Sequence, residues 1–133
     1  MSDNHDPAQG VIVRRTGLSR LLFTVVNSAK GFRFLIQHEE AFQIEFALAC
    51  VMLPLALCLS TSPSEFLFLL GSVVIVLIVE TLNTSIEVLT DRVGEEYNEL
   101  AGLAKDLGSL AVTFSLILCA VVWVTIVLTH WPE

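Results

Sequence analysis

The sequence predicts an all-α integral membrane protein in which one amphipathic surface helix precedes three spanning helices. Three observations carry that expectation. Hydrophobic residues make up 54 % of the 133-residue chain and charged residues only 16 %, a balance foreign to soluble domains. Three apolar runs, Phe46 to Leu59, Phe66 to Val79 and Leu107 to Leu128, are separated by polar segments. Ahead of them, apolar residues recur at three- and four-residue steps from Leu18 to Ile36.

Residues 1 to 16 are expected to be a disordered cytoplasmic tail. Their start, MSDNHDPAQGVIV, has neither the basic beginning nor the hydrophobic run of a signal peptide. A membrane domain is expected over 17 to 133, beginning with a surface helix at about 18 to 37. Its apolar stripe is Leu18, Leu21, Leu22, Val25, Val26, Ala29, Phe32 and Ile36, with Arg20, Asn27, Lys30 and Arg33 off it. Such a helix suits the cytoplasmic headgroup layer, where anionic lipid attracts its cations.

The spans are expected at about 41 to 60, 65 to 90 and 106 to 129. Only the third contains, without help, the roughly 20 apolar residues that a crossing requires. The first two reach that length only if polar extensions, Ala41 to Glu45 and Thr81 to Leu89, continue the same helices. The segment STSPSE, 60 to 65, reads as the turn between them. Arg14, Arg15, Arg20, Lys30 and Arg33 precede the first span, Arg92 and Lys105 lie between the second and third, and the 60 to 65 loop has no cation. The positive-inside rule therefore places the N-terminus and the 90 to 106 loop in the cytoplasm and the C-terminus outside. Trp131 suits an outer aromatic belt.

Composition also narrows function. A net charge of −7 provides no basic surface for nucleic acid. Cys50, Cys58 and Cys119 lie in apolar runs without CxxC spacing, and His5, His38 and His130 are scattered, so packing is the expected cysteine role and no zinc site can be assembled. Neither GxxxxGK[ST] nor GxGxxG occurs.

What remains is a polar stripe on the second span. At about 100° per residue, Glu80, Asn83, Glu87 and Asp91 fall within roughly 80° of one another, with Thr84 beside them. A bare carboxylate at membrane depth costs about 2.5–3.5 kcal/mol on insertion scales, so these groups must face protein, water or a bound cation. An oxygen-only donor set favours a hard cation, Mg²⁺ foremost, and with it phosphate. Lys105, beside Asp106 in the acidic segment 91 to 109, and Glu39 with Glu40 at the start of the first span extend the polar set. A proton or cation channel also places acids along one helix face, but it needs a polar stripe through the whole bilayer, and Phe66 to Val79 is almost wholly apolar. A non-catalytic membrane subunit has no use for Lys105 and Asp106 near the ladder.

The run VETLNTSIEVLTDRVGEEYNELAGLAKDLGS, 79 to 109, resembles the signature of the small bacterial integral-membrane diacylglycerol kinases. Its core is E-x-L-N-[ST]-x-I-E, then D-R-x-G-x-E-Y and A-K-D-x-G-S. The resemblance extends through GLSRLL, SAKGFR and EEAFQIE, and implies a homotrimer in the inner membrane that passes phosphate from ATP to diacylglycerol, giving phosphatidic acid. Undecaprenol kinases share much of the motif. By the same resemblance, Glu80 is the general base, Asn83 orients groups beside it, and Glu39 and Glu87 hold Mg²⁺ against the ATP phosphates. Lys105 and Arg20 contact those phosphates, and Asn27, Glu96, Tyr97, Asn98 and Asp106 complete the nucleotide site. Arg20, Ser28, Arg33, Glu45, Glu80, Ser109 and Trp123 are the implied lipid-substrate contacts. Asn98 stands where the family commonly has histidine, and Asn27 and Ala29 replace larger aromatic residues. The implied roles agree with the chemistry. Phosphoryl transfer needs positioning and charge neutralisation more than covalent chemistry, and a partly desolvated acid is a better base for an alcohol.

Overall fold

A computed structural model describes residues 17 to 92 and 98 to 130; of Leu18 and Ser19 it gives the backbone alone. The expected tail, Glu96, Tyr97 and Trp131 lie outside the described residues. Four helices follow one another, and no strand occurs among the described residues: α1 Leu18–His38, α2 Glu40–Leu59, α3 Pro63–Arg92 and α4 Glu99–Thr129. The last three are long and apolar enough to cross a membrane.

The chain divides into two compact units, one ending at Arg33 and the other beginning at Phe34. In the first, α1 exposes Leu21, Leu22, Val25 and Val26 as well as Arg20, Asn27, Ser28 and Arg33. Arg20 and Asn27 share one face, within about 20° of each other, whereas Arg33 lies on a different one.

In the second unit α3 is the central helix, packing on α4 along most of its length and on α2 over a shorter stretch. Two apolar clusters hold the three together. One joins Ala49 of α2, Val73 and Val76 of α3, and Cys119 of α4; the other joins Ala56, Leu69 and Ile126. Most of these contact residues are small or β-branched, which lets helix backbones approach where lipid supplies no hydrophobic drive between them. The buried hydroxyls of Ser72 and Ser115 donate to the carbonyls of Leu69 (2.9 Å) and Val112 (2.7 Å), so they enter these contacts already satisfied. Large apolar side chains such as Leu57, Leu67, Phe68, Phe114 and Val121 are more than half exposed, as suits lipid-facing surfaces. Leu69 is fully buried. Leu69→Ala opens a cavity where all three helices meet, and is expected to cost about 2–5 kcal/mol, measured by unfolding in detergent.

Two helix ends explain the boundaries. Thr61 donates through its backbone N–H (2.7 Å) and hydroxyl (3.0 Å) to Glu65 Oε2, which also lies 3.2 Å from His130 Nε2 at the end of α4. That trio ties the α2–α3 turn to the far end of α4. At the opposite end, Asn98 caps α4, its side-chain oxygen accepting from the N–H groups of Leu100 (3.0 Å) and Ala101 (3.3 Å). Helix α4 thus begins at Glu99, well before the third span expected from hydropathy, and Lys105 and Asp106 sit on its opening turns instead of in a loop.

Candidate functional site

The polar stripe lies on the C-terminal half of α3. Glu80, Asn83 and Thr84 are 4 %, 8 % and 4 % exposed, which puts them among the most deeply buried polar side chains described. Further along the helix, Glu87 is half-buried and Asp91 exposed, so the stripe runs from protein interior to solvent. One helical turn separates Asn83 from Glu87, close enough for Asn83 Nδ2 to donate to Glu87 Oε1 at 3.1 Å. That bond fixes both side chains.

The charges around this row are almost all negative. Glu80 lies within Coulombic reach of Glu87 and of Glu39, the residue linking α1 to α2, and Glu45 on α2 lies within reach of Glu80. Lys105 supplies the opposite sign. Its ammonium pairs with Asp91 and is within reach of Glu87, bringing the opening turns of α4 against the end of α3. The ion pair with Asp91 is absent from the sequence reading, which set Lys105 beside Asp106; Asp106 is exposed on α4 and Ser109 follows it, also exposed.

Three oxygens here are buried without a hydrogen-bond partner: Glu45 Oε2, Asn83 Oδ1 and Thr84 Oγ1. Each such group costs about 1–3 kcal/mol unless something binds it. Among the described residues no three His, Cys, Asp or Glu side chains converge tightly enough to hold a metal alone. The arrangement instead offers separated carboxylates, a donor set that fits Mg²⁺ only when phosphate oxygens and water complete its shell.

Glu45 also lines a small, otherwise apolar, half-open groove of about 60 Å³ between the three spans, together with Leu48, Ala49, Met52, Val73, Leu116 and Cys119 among others. Not every expected residue joins the carboxylates. Trp123 lies about 22 Å along α4 from Gly108, which sits level with Asn83, and its half-buried ring packs on the two apolar clusters. Asn98 uses its side-chain oxygen as a helix cap. Arg20, Asn27, Ser28 and Arg33 belong to the other unit and are exposed on α1.

Gly108 went unassigned in the sequence. A Cβ at this buried position would overlap Asn83 Oδ1. The signal was present in its place within A-K-D-x-G-S, but spacing alone does not reveal which α3 side chain it meets.

Comparison with known proteins shows the family. Residues 26–127 match the family described as Prokaryotic diacylglycerol kinase. A diacylglycerol kinase of Haemophilus influenzae is 36 % identical over 110 residues, covering 83 % of this chain and 93 % of that protein. One from Escherichia coli K12 is 36 % identical over 116 residues, 87 % of this chain and 95 % of its own. One from Pseudomonas aeruginosa is 38 % identical over 114 residues, 86 % and 93 % respectively.

Proposed function

Because the chain belongs to the prokaryotic diacylglycerol kinase family and is a bacterial membrane kinase, we propose that it moves the γ-phosphoryl group of ATP to the primary hydroxyl of diacylglycerol. The product is phosphatidic acid at the cytoplasmic face of the inner membrane, with the N-terminus inside and the C-terminus outside. The observation that supports this reading is the row of buried Glu80 and Asn83 and half-buried Glu87 on α3, with an unpartnered oxygen on Asn83 and Glu45 of α2 within Coulombic reach of Glu80.

Glu80 accepts the hydroxyl proton as the lipid oxygen attacks the γ-phosphorus. The new O–P bond forms as the bond to the β–γ bridging oxygen breaks, and ADP leaves with that electron pair. Burial favours Glu80 for this task, because a carboxylate with little water around it gains most from taking a proton. Asn83 holds Glu87 in place through its 3.1 Å hydrogen bond. Glu39 and Glu87 would hold Mg²⁺, which when bound would neutralise charge on the phosphates. Lys105 exchanges Asp91 for a phosphate oxygen when nucleotide arrives. The family resemblance further assigns Arg20, Asn27, Glu96, Tyr97, Asn98 and Asp106 to nucleotide binding. The same resemblance assigns Ser28, Arg33, Glu45 and Ser109 to the lipid substrate. The working assembly is a homotrimer.

Transfer of labelled γ-phosphate to a panel of lipid alcohols in detergent micelles tests this reading. Diacylglycerol is expected to be the preferred acceptor, and chelation of Mg²⁺ is expected to abolish transfer. A strong preference for undecaprenol would reassign the lipid, and no transfer to any alcohol would remove the kinase reading.

A further inference from the structure

We propose that Gly108 is a positioning residue for this reaction: by carrying no side chain it keeps the Asn83 carboxamide turned so that its amide clamps Glu87. The inference rests on the lipid kinase reading above. It starts from a contrast among the described glycines. A Cβ built on Gly31, Gly71 or Gly102 would meet nothing within 4 Å, so those positions impose no demand for glycine through space. At Gly108 a Cβ would overlap Asn83 Oδ1, whereas Asn83 Cγ at 3.4 Å and Ile86 Cδ1 at 3.7 Å stand at ordinary contact distance.

Backbone conformation does not explain the glycine, because the positive φ among the described residues belongs to Gly17. Helix propensity works against it, since glycine in a helix interior costs about 1 kcal/mol relative to alanine. What the glycine provides is room for one oxygen. The neighbouring atoms at 3.4 and 3.7 Å leave α4 free to keep its distance from α3 if a methyl group is added, so the carboxamide must turn instead. A carboxamide turns as one plane, and moving Oδ1 carries Nδ2 away from Glu87 Oε1, now 3.1 Å distant. Asn83 Oδ1 is buried with no hydrogen-bond partner and occupies the space a Cβ on residue 108 would need. The helix face thus selects one orientation of Asn83, the one that leaves its donor for Glu87.

The test compares Gly108→Ala with Gly102→Ala in the full chain in micelles. For Gly108→Ala the expected result is a fall of at least tenfold in kcat/KM for Mg-ATP, a nearly unchanged thermal midpoint, and a shifted Asn83 side-chain amide resonance in ¹⁵N-labelled protein. Gly102→Ala is expected to change none of these. In an Asn83→Ala background, adding Gly108→Ala should have no further effect on Mg-nucleotide affinity, because the group it displaces is gone. The same loss of affinity in both backgrounds, or an unmoved Asn83 amide with full activity, would overturn the proposal. The amide resonance is read without turnover, so a shifted amide in a protein whose parent phosphorylates no lipid alcohol would leave the positioning role standing and remove the kinase reading.

Discussion

Glu80→Gln is expected to lower kcat by about 10²- to 10⁴-fold at saturating Mg-ATP, while nucleotide affinity stays close to the parent's. The amide cannot take a proton, yet it has nearly the same volume and fits the same buried space. Two outcomes separate this effect from damage to the fold. Glu80 stands within Coulombic reach of Glu39 and Glu87, so removing its charge relieves repulsion, and the thermal midpoint of the variant should match or exceed that of the parent. KM for ATP should also hold steady, because a group acting on the lipid proton contributes to the transition state and little to nucleotide binding. Steady-state kinetics in mixed micelles, with both substrates varied, reads kcat and KM, and thermal unfolding in the same micelles reads the midpoint; normal turnover would remove Glu80 from the role of base.

Glu87→Gln should behave differently, weakening Mg-nucleotide binding as well as turnover. Here the carboxylate accepts from Asn83, lies within Coulombic reach of Lys105 and, in the proposed site, would hold Mg²⁺ against the phosphates. Glutamine keeps the volume and an acceptor oxygen but loses the charge. A charge-assisted hydrogen bond contributes about 1.5–3 kcal/mol, so affinity for Mg-nucleotide should fall roughly 10- to 100-fold. Titration calorimetry with Mg and a non-hydrolysable ATP analogue measures it without turnover. If affinity were unchanged while kcat fell, Glu87 would belong with Glu80 on the lipid side of the reaction.

The long apolar runs made the three spans legible, and the 100° spacing of Glu80, Asn83, Glu87 and Asp91 made the polar face of α3 legible before any coordinates. Hydropathy failed at the start of α4 for a physical reason: residues 99 to 106 are polar enough to read as loop, yet the Asn98 side chain satisfies the first orphan N–H groups and lets the helix begin there. Contacts between helices were hidden as well. The pairing of Lys105 with Asp91, the approach of Asn83 to Gly108 and the tie between Glu65 and His130 all depend on the register of α3 against α4. A one-dimensional pattern shows which face of a helix is polar, but the register is set by packing of small side chains such as Cys119 against Val73 and Val76. Sequence therefore identified the acids and left their partners unread.

The most direct measurement of the central claim is an experimental structure of the protein with Mg²⁺ and a non-hydrolysable ATP analogue. The terminal phosphate is expected beside Glu87 and Lys105, within reach of a lipid hydroxyl at Glu80, with Lys105 drawn away from Asp91. Nucleotide bound elsewhere, with Glu80, Asn83 and Glu87 still enclosed by protein and the ion pair to Asp91 intact, would contradict it.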